Sequence, residues 1–175
     1  MIERLNNSEG AQPDEGEPGH IRDDAFHGTR LENAFSIKER GFRPRLGIAG
    51  VGCYFDLGDD SSARAFALER AGGDPEQAVV IRVEIHLGTT LDLSFRRNPD
   101  IKRQFQQFQM ELKQQIDVPY GLTFNEEKER FLQEHYPHIT AVLYFNERTG
   151  VWYVAVRDPK RIRIISMVTL SGREI

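Results

Sequence analysis

The chain has little of what most readily assigns a protein to a class. It holds a single cysteine, Cys53, among 175 residues, so an intrachain disulfide is excluded and the reading is of a reducing, cytoplasmic setting. No apolar run approaches the roughly 18–20 residues that a membrane-spanning helix needs, and the N-terminus lacks a basic segment followed by an apolar one. No membrane partner or secretory signal is therefore expected. Net charge is −4, which gives no global reason for binding nucleic acid. The histidines and the one cysteine lack metal-ligand spacing, so no metal is expected. Gly50-x-Gly52 is not followed by the third glycine of a dinucleotide fingerprint, and no Gly-x-x-x-x-Gly-Lys occurs, which removes the Rossmann and P-loop readings.

What is present suffices for one domain. Hydrophobic residues make up 39% and charged residues 29% of the chain, enough for a core under a solvated surface. Residues 1–23 are rich in Glu, Asp, Gly and Pro and read as a flexible acidic leader; residues 24–175 read as a single domain. Leu31 to Arg40 predicts a helix stopped by Gly41, with a loop from Arg43 to Gly50. Cys53-Tyr54-Phe55 predicts a short strand, and Asp60 or Ser61 opens a helix to Arg70. Val79 to Ile85 predicts a strong strand and Leu91-Asp92-Leu93 a short one. Ile101, Phe105, Phe108, Leu112 and Ile116 recur at spacings of four, three, four and four, one face of an amphipathic helix. A further helix is expected from Asn125 as its cap. Ile139–Phe145 and Val151–Val156 flank a turn and predict a β-hairpin, and Arg161–Leu170 a last strand. The fold class is α+β.

The residues that bear chemistry are ordered along the chain. Phe26-His27-Gly28-Thr29 sets an imidazole and a bare backbone at a strand end. Gly50-Val51-Gly52-Cys53-Tyr54-Phe55 follows with an aromatic face, and Phe66 lies in the next helix as a second aromatic wall. Arg43 and Arg45 flank Pro44 and suit an anionic group. Cys53 lacks a Cys-His-Asn ordering and is a weak nucleophile candidate.

In this ordered combination the chain resembles the ADP-ribosyltransferase superfamily, on the poly(ADP-ribose) polymerase and diphtheria-toxin side. His27-Gly28-Thr29 looks like the first motif of that family, and Tyr54-Phe55 with Ala63–Ala67 looks like its second. The stretch from Ala141 through Val156 to Ile162 looks like its closing strands. The resemblance implies a split β-sheet core with flanking helices and NAD as substrate, its ADP-ribose passing to a protein or nucleic-acid acceptor as nicotinamide leaves. It further implies that His27 holds the ADP-side ribose, the Gly28 backbone pairs with the carboxamide and Tyr54 stacks on the nicotinamide. Thr29, Arg43, Gly52 and Phe66 complete the NAD site. Active members carry a glutamate just before an aromatic-aliphatic run. That position here is Trp152, or Tyr153 if the register slips by one. Glu147, in the hairpin turn, is the candidate carboxylate, with Glu126 and Glu127 behind it. Glu-less relatives carry out mono-transfer, so chain extension is not expected. The alternative is a non-catalytic NAD- or nucleotide-binding module on the same fold. A nucleic-acid-directed transferase would need Arg96, Arg97, Lys102 and Arg103 beside the pocket mouth.

Overall fold

Alternation and turn chemistry build most of the sheet. The computed structural model describes residues 21–114 and 122–175. It runs β1 (Ile21–Arg30), α1 (Leu31–Arg40), β2 (Arg45–Gly47), β3 (Gly50–Leu57), α2 (Ser61–Arg70), β4 (Ala78–His86), β5 (Thr90–Asp92), α3 (Pro99–Gln114), α4 (Phe124–His135), β6 (Ala141–Asn146), β7 (Val151–Val156), a 3-10 turn at Pro159–Arg161, and β8 (Ile162–Thr169). The result is a mixed α+β fold. Its strands line up as β5-β6-β7-β3-β1-β4-β8, with β2 paired to β3 off this path. The β5–β6 pair is parallel, and the other pairs are antiparallel.

The joint between β1 and β3 differs from the rest. β1 meets β4 over eight residue pairs and β3 meets β7 over five, whereas β1 and β3 share two, Ala25 with Leu57 and Phe26 with Asp56. Beyond Phe26 the two strands part, and the sheet opens as a fork. Period-two alternation then divides the core between the two faces of the sheet. Val154 and Val156 of β7 join Phe55, Ile81 and Ile85 in a cluster that also holds Ala34 of α1. Ala155, between them, joins Leu91, Phe105, Phe108, Phe131 and Leu132, under α3 and α4.

Several local expectations shift. β1 starts at Ile21, inside the stretch read as leader; residues 1–20 lie outside the described residues. Of the apolar face of α3, Ile101, Phe105, Phe108 and Leu112 are buried, and Ile116 lies outside the described residues. The cap of α4 is Thr123, not Asn125: its hydroxyl accepts from the Glu126 amide while Glu126 reaches back to the Thr123 amide, a reciprocal capping box. The loop expected at 43–50 contains β2, which forms a tight hairpin with β3 through Gly47 and Gly50.

Helix α4 holds that hairpin from across the fold. Lys128 is 3% exposed and Glu129 8%. Lys128 Nζ donates to the Ile48 carbonyl at 2.8 Å. Glu129 accepts from the Val51 amide at 2.6 Å, from both terminal nitrogens of Arg157 at 2.9 and 2.6 Å, and from Gln133 at 2.8 Å. Burial opposes ionisation of Glu129, yet these donors outweigh it and its carboxyl titrates below the usual glutamate range. Gly50, at φ +82°, is required here: a Cβ on it would run into that same carboxylate and Leu132. Glu129→Gln leaves the Arg157 charge half-buried without its partner, a loss of about 3–5 kcal/mol. The melting temperature should fall on the order of 10 °C in a thermal scan at pH 7; an unchanged midpoint would mean that α4 does not brace the hairpin.

Candidate functional site

The opening of the fork is a cavity of about 640 Å³. It is built by the parting halves of β1 and β3, with α1, α2, β2 and the ends of β6 and β7 around them. His27, Gly28, Thr29, Arg43, Gly52, Tyr54 and Phe66 all line it. These residues come from β1, the α1–β2 connection, β3 and α2, so the fold brings together what the sequence spreads over forty positions.

His27 sits where the ladder between β1 and β3 stops. Its Nδ1 lies 3.0 Å from the Tyr54 carbonyl. A carbonyl only accepts, so Nδ1 carries the proton and Nε2 of the neutral ring keeps a lone pair. Phe42 and Phe55 meet the ring edge-on at 5.5 and 5.9 Å. Burial pushes the imidazole below its usual value, against the raising effect of the carbonyl, so the ring is neutral at pH 7. Phe42, just after the Gly41 stop, thus shapes the site by holding the imidazole.

Gly28 serves packing. A Cβ on it would overlap the Ala63 carbonyl oxygen, so α2 lies directly on the β1 backbone there. Tyr54 differs from expectation in its hydroxyl. That group donates to the Gly50 carbonyl at 2.6 Å and accepts from the Ala49 amide at 2.9 Å. Burial, the largest cause, pushes its pKa up to about 12. The ring lines the cavity while the hydroxyl fastens the β2–β3 hairpin. Cys53 also lines the cavity, but burial raises its thiol to about 11. A protonated thiol is a poor nucleophile at pH 7.

Glu147 is not brought to the cavity. The hairpin turn carries it to a neighbouring cavity lined also by Lys128 and Arg148, where it is paired with Arg96. The Arg96 side of that pair is 82% exposed and neutralises the charge. Trp152 turns the other way as well, packing on Phe145 at 5.1 Å with the Arg97 guanidinium 5.1 Å above it. Its neighbour Tyr153 is the β7 residue that lines the cavity. Glu126 caps α4 and Glu127 accepts from Gln109, so neither joins the site. Of the four cations weighed for nucleic acid, Arg96 and Arg103 are held in ion pairs and Arg97 lies over rings.

The cavity's own charges were only partly expected. Four arginines line it, Arg30, Arg43, Arg45 and Arg70, against one carboxylate among the described residues, Asp56. Arg30 pairs with Glu32 at 2.8 Å and Arg70 lies over Phe66 at 4.7 Å. Arg43 and Arg45 have no ion pair among the described residues. Asp56 is the residue of β3 opposite both Phe26 and Tyr153, two positions beyond Tyr54 and on its face of the strand. Burial pushes its carboxyl up to about 6, against a hydrogen bond from Ser62 and with the help of nearby Asp59. Ser62 in turn lies 3.4 Å from the Tyr153 hydroxyl. The signal in the sequence was period two: Gly52, Tyr54 and Asp56 form one side of the strand. No group of three or more metal-ligating side chains occurs among the described residues, and none of the described helices is long and apolar enough to cross a membrane.

No protein-family model matches the sequence, and no curated protein matches it.

Two expected outcomes test this geometry. Tyr54→Phe keeps the ring but leaves the Ala49 amide and Gly50 carbonyl without their partner, at about 1–3 kcal/mol; the unfolding midpoint in urea should drop accordingly, and no drop would remove the hydroxyl's bracing role. Asp56→Asn should stabilise the protein at neutral pH. The folded-state value near 6 lies above the ordinary 3.8, so the native state binds the proton more tightly than the unfolded chain. Above pH 6 the folded form carries the desolvated charge; below about 4 both states hold the proton and the penalty vanishes. The variant's advantage in melting temperature should therefore be full at pH 7.5 and fade between pH 6 and 4. An advantage that is absent at pH 7.5, or constant across this window, contradicts the assignment.

Proposed function

We propose that this chain is an ADP-ribosyltransferase-like domain whose fork cavity binds NAD, with transfer of one ADP-ribose to a protein or nucleic-acid acceptor and release of nicotinamide. The observation that carries this reading is the meeting of His27, Gly28 and Tyr54 where β1 and β3 part, in a cavity rimmed by four arginines. The split sheet and flanking helices agree with the resemblance of the two motifs. Guanidinium groups suit a diphosphate. Neutral His27, with Nε2 as an acceptor, suits a ribose hydroxyl. The exposed ring of Phe66 and the ring of Tyr54 offer faces to a flat heterocycle.

A second reading, a non-catalytic NAD- or nucleotide-binding module, has one observation in its favour. The β7 residue that faces the cavity is Tyr153, an aromatic residue close to the position where the resemblance expects glutamate. Incubation with NAD separates the two: nicotinamide release marks the transferase, and saturable binding without release marks the module.

His27→Ala should weaken NAD binding about tenfold to a hundredfold, since a buried hydrogen-bonding group worth about 1–3 kcal/mol is lost. Arg43→Ala, at an exposed loop position, should cost clearly less. Titration calorimetry with NAD reads both. Equal losses, or no binding by the wild-type chain, would overturn the proposed site.

A further inference from the structure

The fork cavity is electrically polarised along its length. Asp56 lies at the crotch, opposite Phe26. Four residues along one arm stands Arg30; four residues back along the other stands Gly52, whose partner on β2 is Arg45. Both arms therefore place a guanidinium-bearing residue about 13 Å from the carboxylate-bearing one, at roughly 3.3 Å per residue; Arg30 shares its charge with Glu32, while Arg45 has no ion pair among the described residues. Such a gradient complements a ligand with a cationic ring at one end and a diphosphate at the other. Asp56 also lacks the compensation that the Glu129 carboxylate receives. Glu129 gathers four donors, among them an arginine, whereas among the described residues the donor to Asp56 is the neutral hydroxyl of Ser62.

We propose that Asp56 is the catalytic carboxylate of this cavity, placed against the ribose that bears the cationic pyridinium ring of a pyridinium dinucleotide. The inference rests on the NAD reading above and adds to it the residue that the closing strands do not supply. In the step, the bond between the ribose C1′ and the pyridinium nitrogen breaks and its electron pair stays on nitrogen, giving neutral nicotinamide. The positive charge passes to the ribosyl carbon and ring oxygen, where the Asp56 carboxylate stabilises it in a low-dielectric cleft. Water, or the acceptor's nucleophile, then donates an electron pair to C1′ and its proton goes to solvent. The Ser62 hydroxyl donates to the carboxylate at the crotch and lies 3.4 Å from the Tyr153 hydroxyl, with Asp59 the neighbouring acid at the turn into α2.

The test uses the full chain with NAD alone, water serving as acceptor. Asp56→Asn should leave the NAD dissociation constant within about threefold and slow nicotinamide release by roughly a hundredfold or more at saturating NAD, the scale expected for loss of one preorganised electrostatic contact. Asp56→Glu, which retains the charge, should release nicotinamide faster than Asp56→Asn. The rise in melting temperature expected of Asp56→Asn shows in the same preparation that the variant is folded. Wild-type release with an undiminished rate in Asp56→Asn would overturn this assignment and leave the NAD reading standing. Wild-type binding of NAD without release would overturn it in favour of the binding module. Failure of the wild type to bind NAD would overturn both.

Discussion

One hydrogen bond, from His27 Nδ1 to the Tyr54 carbonyl, stands where a backbone ladder would otherwise continue. β1 and β3 pair at Ala25 and Phe26 and then separate, each committed on its other side to a longer ladder, with β4 and with β7. A parted pair of strands exposes backbone polar groups that must be satisfied. The imidazole takes one of them, and Phe42 and Phe55 shield the contact on the side facing the core. The same contact fixes the tautomer and orientation of the ring that lines the cavity. The opening of the sheet and the chemistry of the site are thus one constraint. On the opposite wall, the absence of a side chain at Gly28 lets α2 settle on β1 and close the cavity from above.

The second arm of the fork is kept in shape from far away in sequence. The hairpin of β2 and β3 has two glycines at its turn and little apolar surface to hold it. Tyr54, Lys128 and Glu129 fasten residues 48–51 by four hydrogen bonds: two at the Tyr54 hydroxyl, one donated by the lysine and one accepted by the glutamate, while Arg157 ties Glu129 in turn with a bidentate pair. Lys128 has no ion pair among the described residues. Its ammonium lies 4.4 Å from the Phe124 ring centroid and near Phe95 and Tyr144, and burial lowers its pKa to about 8. A cation over aromatic faces is attracted by their quadrupoles, which makes a dry position tolerable. Opposite charges on adjacent residues of one helix therefore serve the same wall.

Regular elements were legible because their signals are local. Helix α1 ends where Gly41 adopts φ +76°, and the four buried apolar residues of α3 follow the helical period. The hairpin of β6 and β7 announces itself by its turn. β2 was not legible, since Arg45-Leu46-Gly47 has no strand-like composition. It is a strand because Gly50–Gly52 pair with it and because α4, some eighty positions on, pins the turn. Asn125 and Thr123 are both good capping residues, and only the reach of Glu126 decides between them. For the site, the motif residues were legible as a set. The charges were legible only at Arg43 and Arg45: Arg30, Arg70 and Asp56 join them through strand pairing and the packing of α2, while Glu147, prominent in sequence, is carried off by its turn to Arg96.

Asp56 and Glu129 show why charge placement, more than residue type, separates scaffold from site in this fold. Both carboxylates are drawn out of water, and burial acts on both in the same direction. For Glu129 the Arg157 fork, the Val51 amide and Gln133 reverse that effect, so its ionised form is favoured and contributes to the native state above the usual glutamate range. Asp56 receives a single hydroxyl, and Asp59 adds repulsion, so its ionised form weakens the fold at neutral pH. The arginines of the same cavity stand out along the arms of the fork instead of closing on it. A carboxylate held this way keeps unspent capacity for a positive charge that arrives from outside. Pairs of acids whose surroundings drive their pKa values apart commonly divide structural from chemical roles. By that reasoning the uncompensated member, at the crotch of the fork, is the one to which the proposed chemical role falls.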